Sequence, residues 1–264
     1  MELKTDKMIA EKKDGVGWMT FNNPARRNAM SLEMWEAVGE IMDDFMADPA
    51  VKCCVMRGAG DKAFVSGADI SQFKEKRNDA DAAAEYDRIS SDARRKLGAF
   101  QKPLIAMIRG YCLGGGLGVA MNADFRIATE DSQFGIPAAR LGIAYTFENV
   151  KRLIDLVGPS RGKEILITAR RLPAAEAYQI GLINRVVPVE KLEEAVAEFT
   201  DAITVNAPLS MKASKLIIAE ILKDKDDRDY GLIETLKTEC FDSNDYQEGR
   251  EAFMEKRKPV FTGT

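Results

Sequence analysis

The sequence predicts an α/β protein, with a mixed α/β core over residues 1–188 and a helical part over residues 189–264. Three observations point there. Apolar runs at 51–57 and 104–109 have the length and composition of buried strands, and each stops at a glycine, Gly58 or Gly110. Their endings look alike, Val55-Met56-Arg57-Gly58 and Met107-Ile108-Arg109-Gly110, and each leads into a small-residue loop. That hints at stacked strand–strand–helix units. Beyond Val187-Pro188 the apolar spacing turns helical and stays so.

Taken in order, residues 8–10 and 16–21 flank an Asp14-Gly15 turn and read as a hairpin. Ser31 caps a helix that carries Met34, Val38, Ile41, Met42 and Phe45 on one stripe. The first buried strand follows, then the loop Val65-Ser66-Gly67-Ala68-Asp69-Ile70. Residues 74–85 are highly charged and alanine-rich, which predicts a mobile, partly helical cover. The second buried strand runs into Tyr111-Cys112-Leu113-Gly114-Gly115-Gly116 and a helix-like segment. In the C-terminal part, Leu192, Ala195, Val196, Phe199 and Ile203 keep helical spacing, and Pro208 opens another helix. Asp245-Tyr246-Gln247-Glu248 has the form of a capping box and starts the last one.

Composition narrows the chemistry. A chain of 264 residues, 45% hydrophobic and 30% charged, can bury a sizeable core as an ordinary soluble protein. No apolar run has the length of a membrane span, and the charged N-terminus has no apolar signal region, so a cytoplasmic location is expected. Cys53, Cys54, Cys112 and Cys240 show no CxxC spacing, and the Cys53-Cys54 pair reads as reduced core packing. A net charge of −4 without a basic face argues against nucleic acid as a partner. There is no histidine at all, which excludes Ser-His-Asp and Cys-His catalysis and nearly every catalytic zinc site, so no metal is expected.

The glycine triplet is the most informative segment. Consecutive glycines let a ligand approach the backbone, and free N–H groups at a helix start suit a small anionic oxygen. Leu117, Gly118 and Val119, which follow, supply neither acid nor base. On their own the two small-residue loops read better as tight turns.

Further pieces decide between these readings: Asn23-Pro24-Ala25-Arg26-Arg27-Asn28-Ala29-Met30, Phe134-Gly135-Ile136-Pro137, Ala177-Tyr178-Gln179-Ile180-Gly181 and Glu248-Gly249-Arg250-Glu251-Ala252-Phe253. Together with the two loops, in this order and spacing, the chain resembles the enoyl-CoA hydratase/isomerase (crotonase) superfamily over nearly its whole length. The resemblance implies a spiral of ββα repeats, trimers that often pair into hexamers, and a lyase of fatty acid metabolism. Its ligand would be an acyl-CoA thioester, and no cofactor would be needed because coenzyme A is part of the substrate. The thioester oxygen would accept hydrogen bonds from the N–H groups of Ala68 and Gly115. Arg26, Ala29, Asp69, Ile70 and Gly114 would line the CoA and acyl sites, with Phe253 and Lys256 near the adenine end. The helical residues 189–264 would serve oligomerisation and closure of the CoA pocket.

The chain also departs from the family. Typical hydratases use two glutamates, and the corresponding positions here are Gly118 and Ala138. Tyr145, in Leu141-Gly142-Ile143-Ala144-Tyr145, matches the tyrosine of methylmalonyl-CoA decarboxylases, although those carry a histidine at the Ala68 position. Decarboxylation of a malonyl-type thioester, which makes an enolate without a base, is therefore the first expectation. Tyr145 would orient the carboxylate or protonate the enolate; the other reading makes it a core tyrosine satisfied by a backbone partner. The alternatives are a hydratase or isomerase with a displaced carboxylate such as Glu148, and a non-catalytic acyl-CoA binder.

Overall fold

The computed structural model describes residues 1–69 and 80–264. The chain opens as the expected hairpin, β1 (Met8–Lys13) against β2 (Val16–Phe21), with Lys13 opposite Val16 and both Asp14 and Gly15 at positive φ. Helix α1 (Leu32–Ala47) follows Ser31, which holds the extended cap conformation while its hydroxyl turns to Glu33. The predicted stripe of α1 is buried throughout.

From there the chain repeats one move three times. Strands β3 (Cys53–Gly58), β5 (Leu104–Ile108) and β7 (Phe125–Thr129) enter one sheet. Their successors β4 (Ala63–Val65), β6 (Tyr111–Leu113) and β8 (Gln133–Gly135) enter another. The larger sheet has the order β1-β2-β3-β5-β7-β10, parallel from β2 onward, with β10 spanning Arg185–Val187. The smaller one runs β4-β6-β8-β9, with the short β9 (Leu172–Pro173) antiparallel to β8. A helix follows each pair: α2 (Ala80–Gly98), α3 (Gly115–Ala120), and α4 (Phe147–Thr168), which kinks at Gly158-Pro159. This is the spiral of strand–strand–helix units that the matching strand ends hinted at.

The unbroken apolar runs of β3 and β5 follow from burial on both faces. Cys54, Met56, Leu104 and Ala106 join the main core with α1, while Cys53, Val55 and Ile105 face the opposite way. That second face is covered by Leu192, Ala195, Val196 and Ile203 of α6 (Leu192–Thr204). The intervening α5 (Ala174–Gln179) packs beside β9 and β10. Helices α7 (Pro208–Ile221), α8 (Tyr230–Phe241) and α9 (Asn244–Glu255) complete the chain.

Two expectations need correction. The last helix is capped by Ser243, whose hydroxyl accepts the Tyr246 N–H at 3.0 Å, and not by Asp245. Asp245 sits inside the first turn, and its carboxylate takes the N–H groups of Thr262 and Gly263 instead. Two short strands that were not expected, β4 and β6 of three residues each, also lead into the small-residue loops. The expected cover at 74–85 lies outside the described residues up to position 79, and the chain is helical from Ala80. Among the described residues no helix is long and apolar enough to cross a membrane.

Candidate active site

The two small-residue loops meet at the ends of β4 and β6. Asn28 ties the first loop down. It is fully buried at positive φ; its amide donates to the carbonyls of Ala59 and Ala63, and its oxygen accepts the Asn23 N–H. The adjoining Met30 pairs in parallel with Ala68. Its N–H reaches the Gly67 carbonyl at 2.8 Å and its carbonyl receives the Asp69 N–H at 2.9 Å. In a parallel bridge of that pattern the residue between the two bonded groups has its own N–H turned away. The Ala68 N–H therefore faces away from Met30.

The second loop comes from the glycine triplet. Gly114 has φ 52 and ψ −121, a conformation open to glycine, and its N–H donates to the Gly135 carbonyl at 2.8 Å. Gly115 is the first residue of α3, so its N–H is one of the donors that no helical carbonyl can satisfy. Gly116 lets α3 lie directly on β4: a Cβ there would stand 2.0 Å from the Val65 carbonyl oxygen. The outcome is proximity between the loops. A Cβ on Gly115 would be 3.8 Å from the Ala68 nitrogen. Among the described residues neither of these two N–H groups donates to a backbone acceptor. They form a pair of fixed donors beside a helix start, suited to an oxygen that gains negative charge.

The polar side chains beside Gly118, three residues beyond Gly115, are those of Tyr145 and Asn149. Tyr145 donates its hydroxyl to the Gly114 carbonyl at 2.9 Å, and burial pushes that hydroxyl above its ordinary pKa. A Cβ on Gly118 would stand 3.2 Å from the Tyr145 hydroxyl and 3.4 Å from Asn149 Oδ1. Asn149 is held by donating to Thr146 Oγ1, and Asn122 donates to the Gly118 carbonyl while its own oxygen is buried without a partner among the described residues. Ala138 lies in the short 3-10 turn Pro137–Leu141 and accepts the Ile143 N–H on its carbonyl. No carboxylate stands at 118 or 138.

The other predicted residues are placed as follows. Arg26 and Ala29 sit on the segment strapped to the Ala68 loop, Arg26 exposed and Ala29 buried. Asp69 follows Ala68 directly; Ile70 lies outside the described residues. Glu148 is exposed on the first turn of α4, electrostatically opposite Arg152, whose guanidinium pKa burial lowers. Phe253 and Lys256 are exposed at the end of α9, a helix that contributes nothing to the cradle itself. Asp124 and Arg126 are structural: Asp124 takes the Leu104 N–H and the Lys215 ammonium, while the buried Arg126 donates to the carbonyls of Ala123 and Leu182. Sequence reasoning assigned no role to Asn28, Asn122 or Asn149. For Asn28 a signal existed, since asparagine tolerates positive φ and bonds nearby backbone.

The spiral fold and the paired N–H groups define a class of protein, and comparison with known families agrees. The model of the enoyl-CoA hydratase/isomerase family matches residues 11–264, and the chain belongs to that family. It is 34% identical to the short-chain-enoyl-CoA hydratase of Clostridium acetobutylicum over 256 residues, covering 97% of each chain. It is 36% identical to the crotonyl-CoA hydratase of Syntrophomonas wolfei over 260 residues, covering 97% of this chain and 98% of that one. Among solved structures, an enoyl-CoA hydratase/carnithine racemase from Magnetospirillum magneticum superposes with a TM-score of 0.93 at 33% identity, covering 99% and 97% of the two chains.

Proposed function

We propose that the protein hydrates an enoyl-CoA thioester, or runs the reverse dehydration, through an enolate held by the Ala68 and Gly115 N–H groups. The observation that carries this reading is the approach of those two donors at the start of α3. Charge develops on the thioester oxygen in the transition state, and losing one such donor typically costs roughly 3 to 4 kcal/mol. The kinship with two hydratases supports water addition over decarboxylation, the expectation from sequence. So does the Tyr145 hydroxyl: its one proton is engaged with the Gly114 carbonyl rather than available to an enolate. Arg26, Ala29, Asp69 and Gly114 would border the thioester and CoA, with Phe253 and Lys256 toward the adenine.

With Gly118 and Ala138 in place of carboxylates, the acid–base group must be displaced, and Glu148 is our candidate. It precedes Asn149, whose side chain fills the space beside Gly118, and it is exposed on the first turn of α4. A general acid–base group is worth roughly 10²- to 10⁴-fold, so Glu148→Gln should remove most crotonyl-CoA hydration, measured as hydroxyacyl-CoA formed. A decarboxylase reading survives on one observation, the neutral groups around Gly118. Mass spectrometry of a thioester panel separates them: CO₂ loss from methylmalonyl-CoA with no hydration of any enoyl-CoA overturns our reading. Saturable binding without turnover would leave a binding protein.

We also propose self-association as a homotrimer, or a dimer of trimers, in the cytoplasm. The apolar side chains exposed on α7, α8 and α9 support it.

A further inference from the structure

Tyr145 is placed where a side chain at position 118 would otherwise project, yet its hydroxyl is spent on the Gly114 carbonyl. That carbonyl belongs to the peptide unit whose other end is the Gly115 N–H. In a trans peptide the C=O and N–H point in opposite directions, so a donor on the oxygen fixes the plane and aims the N–H. Hydrogen bonds in series also polarise one another, so a donor at the oxygen strengthens the N–H as a donor. The plane needs such a hold. It lies between two glycines, and among the described residues only the Gly118 N–H, at 3.1 Å, bonds the Gly114 oxygen besides Tyr145.

We propose that Tyr145 is a positioning residue: its hydroxyl holds the Gly114–Gly115 peptide so that the Gly115 N–H is presented to the thioester oxygen. This rests on the oxyanion reading above and holds whichever acyl-CoA reaction follows. Gly118 is the matching half of the arrangement. A Cβ there would press on the hydroxyl at 3.2 Å, whereas glycine leaves it seated. The buried, neutral hydroxyl stays protonated as pH rises past the ordinary tyrosine range, so the hold does not vary across neutral pH.

The test is infrared difference spectroscopy of butyryl-CoA labelled at its carbonyl, bound to the full-length protein. In the wild type the carbonyl stretch should fall on binding. In Tyr145→Phe the fall should be smaller, with butyryl-CoA affinity within about twofold, because one neutral hydrogen bond behind the donor has been lost. Turnover should drop about tenfold in kcat, the scale of one hydrogen bond, with KM little changed and the pH profile unmoved. Gly118→Ala should displace the hydroxyl and lower the shift likewise. The double variant should be no worse than Tyr145→Phe alone, the non-additivity expected of residues in contact. A wild-type shift that Tyr145→Phe reproduces in full, with unchanged kcat, overturns this proposal alone. A wild-type complex with no shift overturns the oxyanion reading and this proposal with it.

Discussion

A single methyl group at position 116 decides whether the cradle can form. Its Cβ would lie 2.0 Å from the Val65 oxygen and 2.7 Å from the Val65 carbonyl carbon, both backbone atoms of β4 that cannot turn aside. Gly116→Ala should therefore cost at least about 3 kcal/mol in urea unfolding, at the upper end of overpacking penalties. The same close packing silences the thiols. Burial pushes Cys53 up to about 12, and Cys54 and Cys112 are likewise buried and raised. Ellman's reagent should find no more than one reactive thiol per native chain, Cys240, and all four cysteines in denaturant. At this scale Gly114 and Gly116 were legible in the sequence because the first holds a positive φ and the second leaves no room for a Cβ. Tyr145 was legible in part: a backbone partner was one of its two readings, but that partner lies 31 residues away, and nothing local in the sequence announces which carbonyl a tyrosine will reach.

Among the elements, those with a full period were readable and those without were not. The stripe of α1 and the two-faced apolar strands gave long, regular signals. Strands β4, β6 and β8 have three residues each, too few to alternate, and they exist because neighbouring backbone pairs with them. The start of α9 was misplaced by two residues because Asp245 has capping chemistry but uses it on the chain's end. That tail is strapped down a second time. Glu248 takes both Nη groups of Arg257, at 2.6 and 2.8 Å, and the Val260 N–H at 2.7 Å. Arg257 first, then Val260, holds the Glu248 carboxyl down at about 2 against a usual 4.5. A depressed carboxylate contributes its hold above the unfolded pKa and loses it as pH falls through the folded one. The strap should thus be intact at neutral pH and weaken only from about pH 4.5 down to 2. The Val260 amide shift should titrate near the lower end of that window, and Glu248→Gln should abolish the titration and expose the tail to protease at neutral pH.

Across the whole molecule, the large sheet is closed on both faces, by the main core and by α6, whereas the last three helices leave apolar side chains in water. Phe253 and Met254 are 83% and 80% exposed, and Ile221, Phe241 and Val260 are open as well. Between α7, α8, α9 and the tail lies a hollow of about 510 Å³, lined among others by Leu209, Phe241, Tyr246, Phe253 and Phe261. Clustered exposure of this kind marks an interface more often than chance, while single exposed residues do not. The sequence carried the apolar residues but not their clustering, which depends on how three helices pack at one end. If a second copy covers this face, sedimentation should return a multiple of the 29.2 kDa chain mass, three or six by the family resemblance. Phe253→Glu combined with Met254→Glu places two charges where apolar contact is needed, and should shift the mass toward one chain. Because both residues already face solvent, the fold should survive, with an unchanged unfolding midpoint at low protein concentration. CoA-ester affinity is the informative readout there. If Phe253 and Lys256 complete a neighbouring copy's adenine site, the dissociated chain should bind butyryl-CoA more weakly while keeping its carbonyl shift. A monomeric wild type, or a dissociated variant with undiminished affinity, would remove a neighbouring copy's α9 end from the CoA site and leave the cradle between Ala68 and Gly115 complete within one chain.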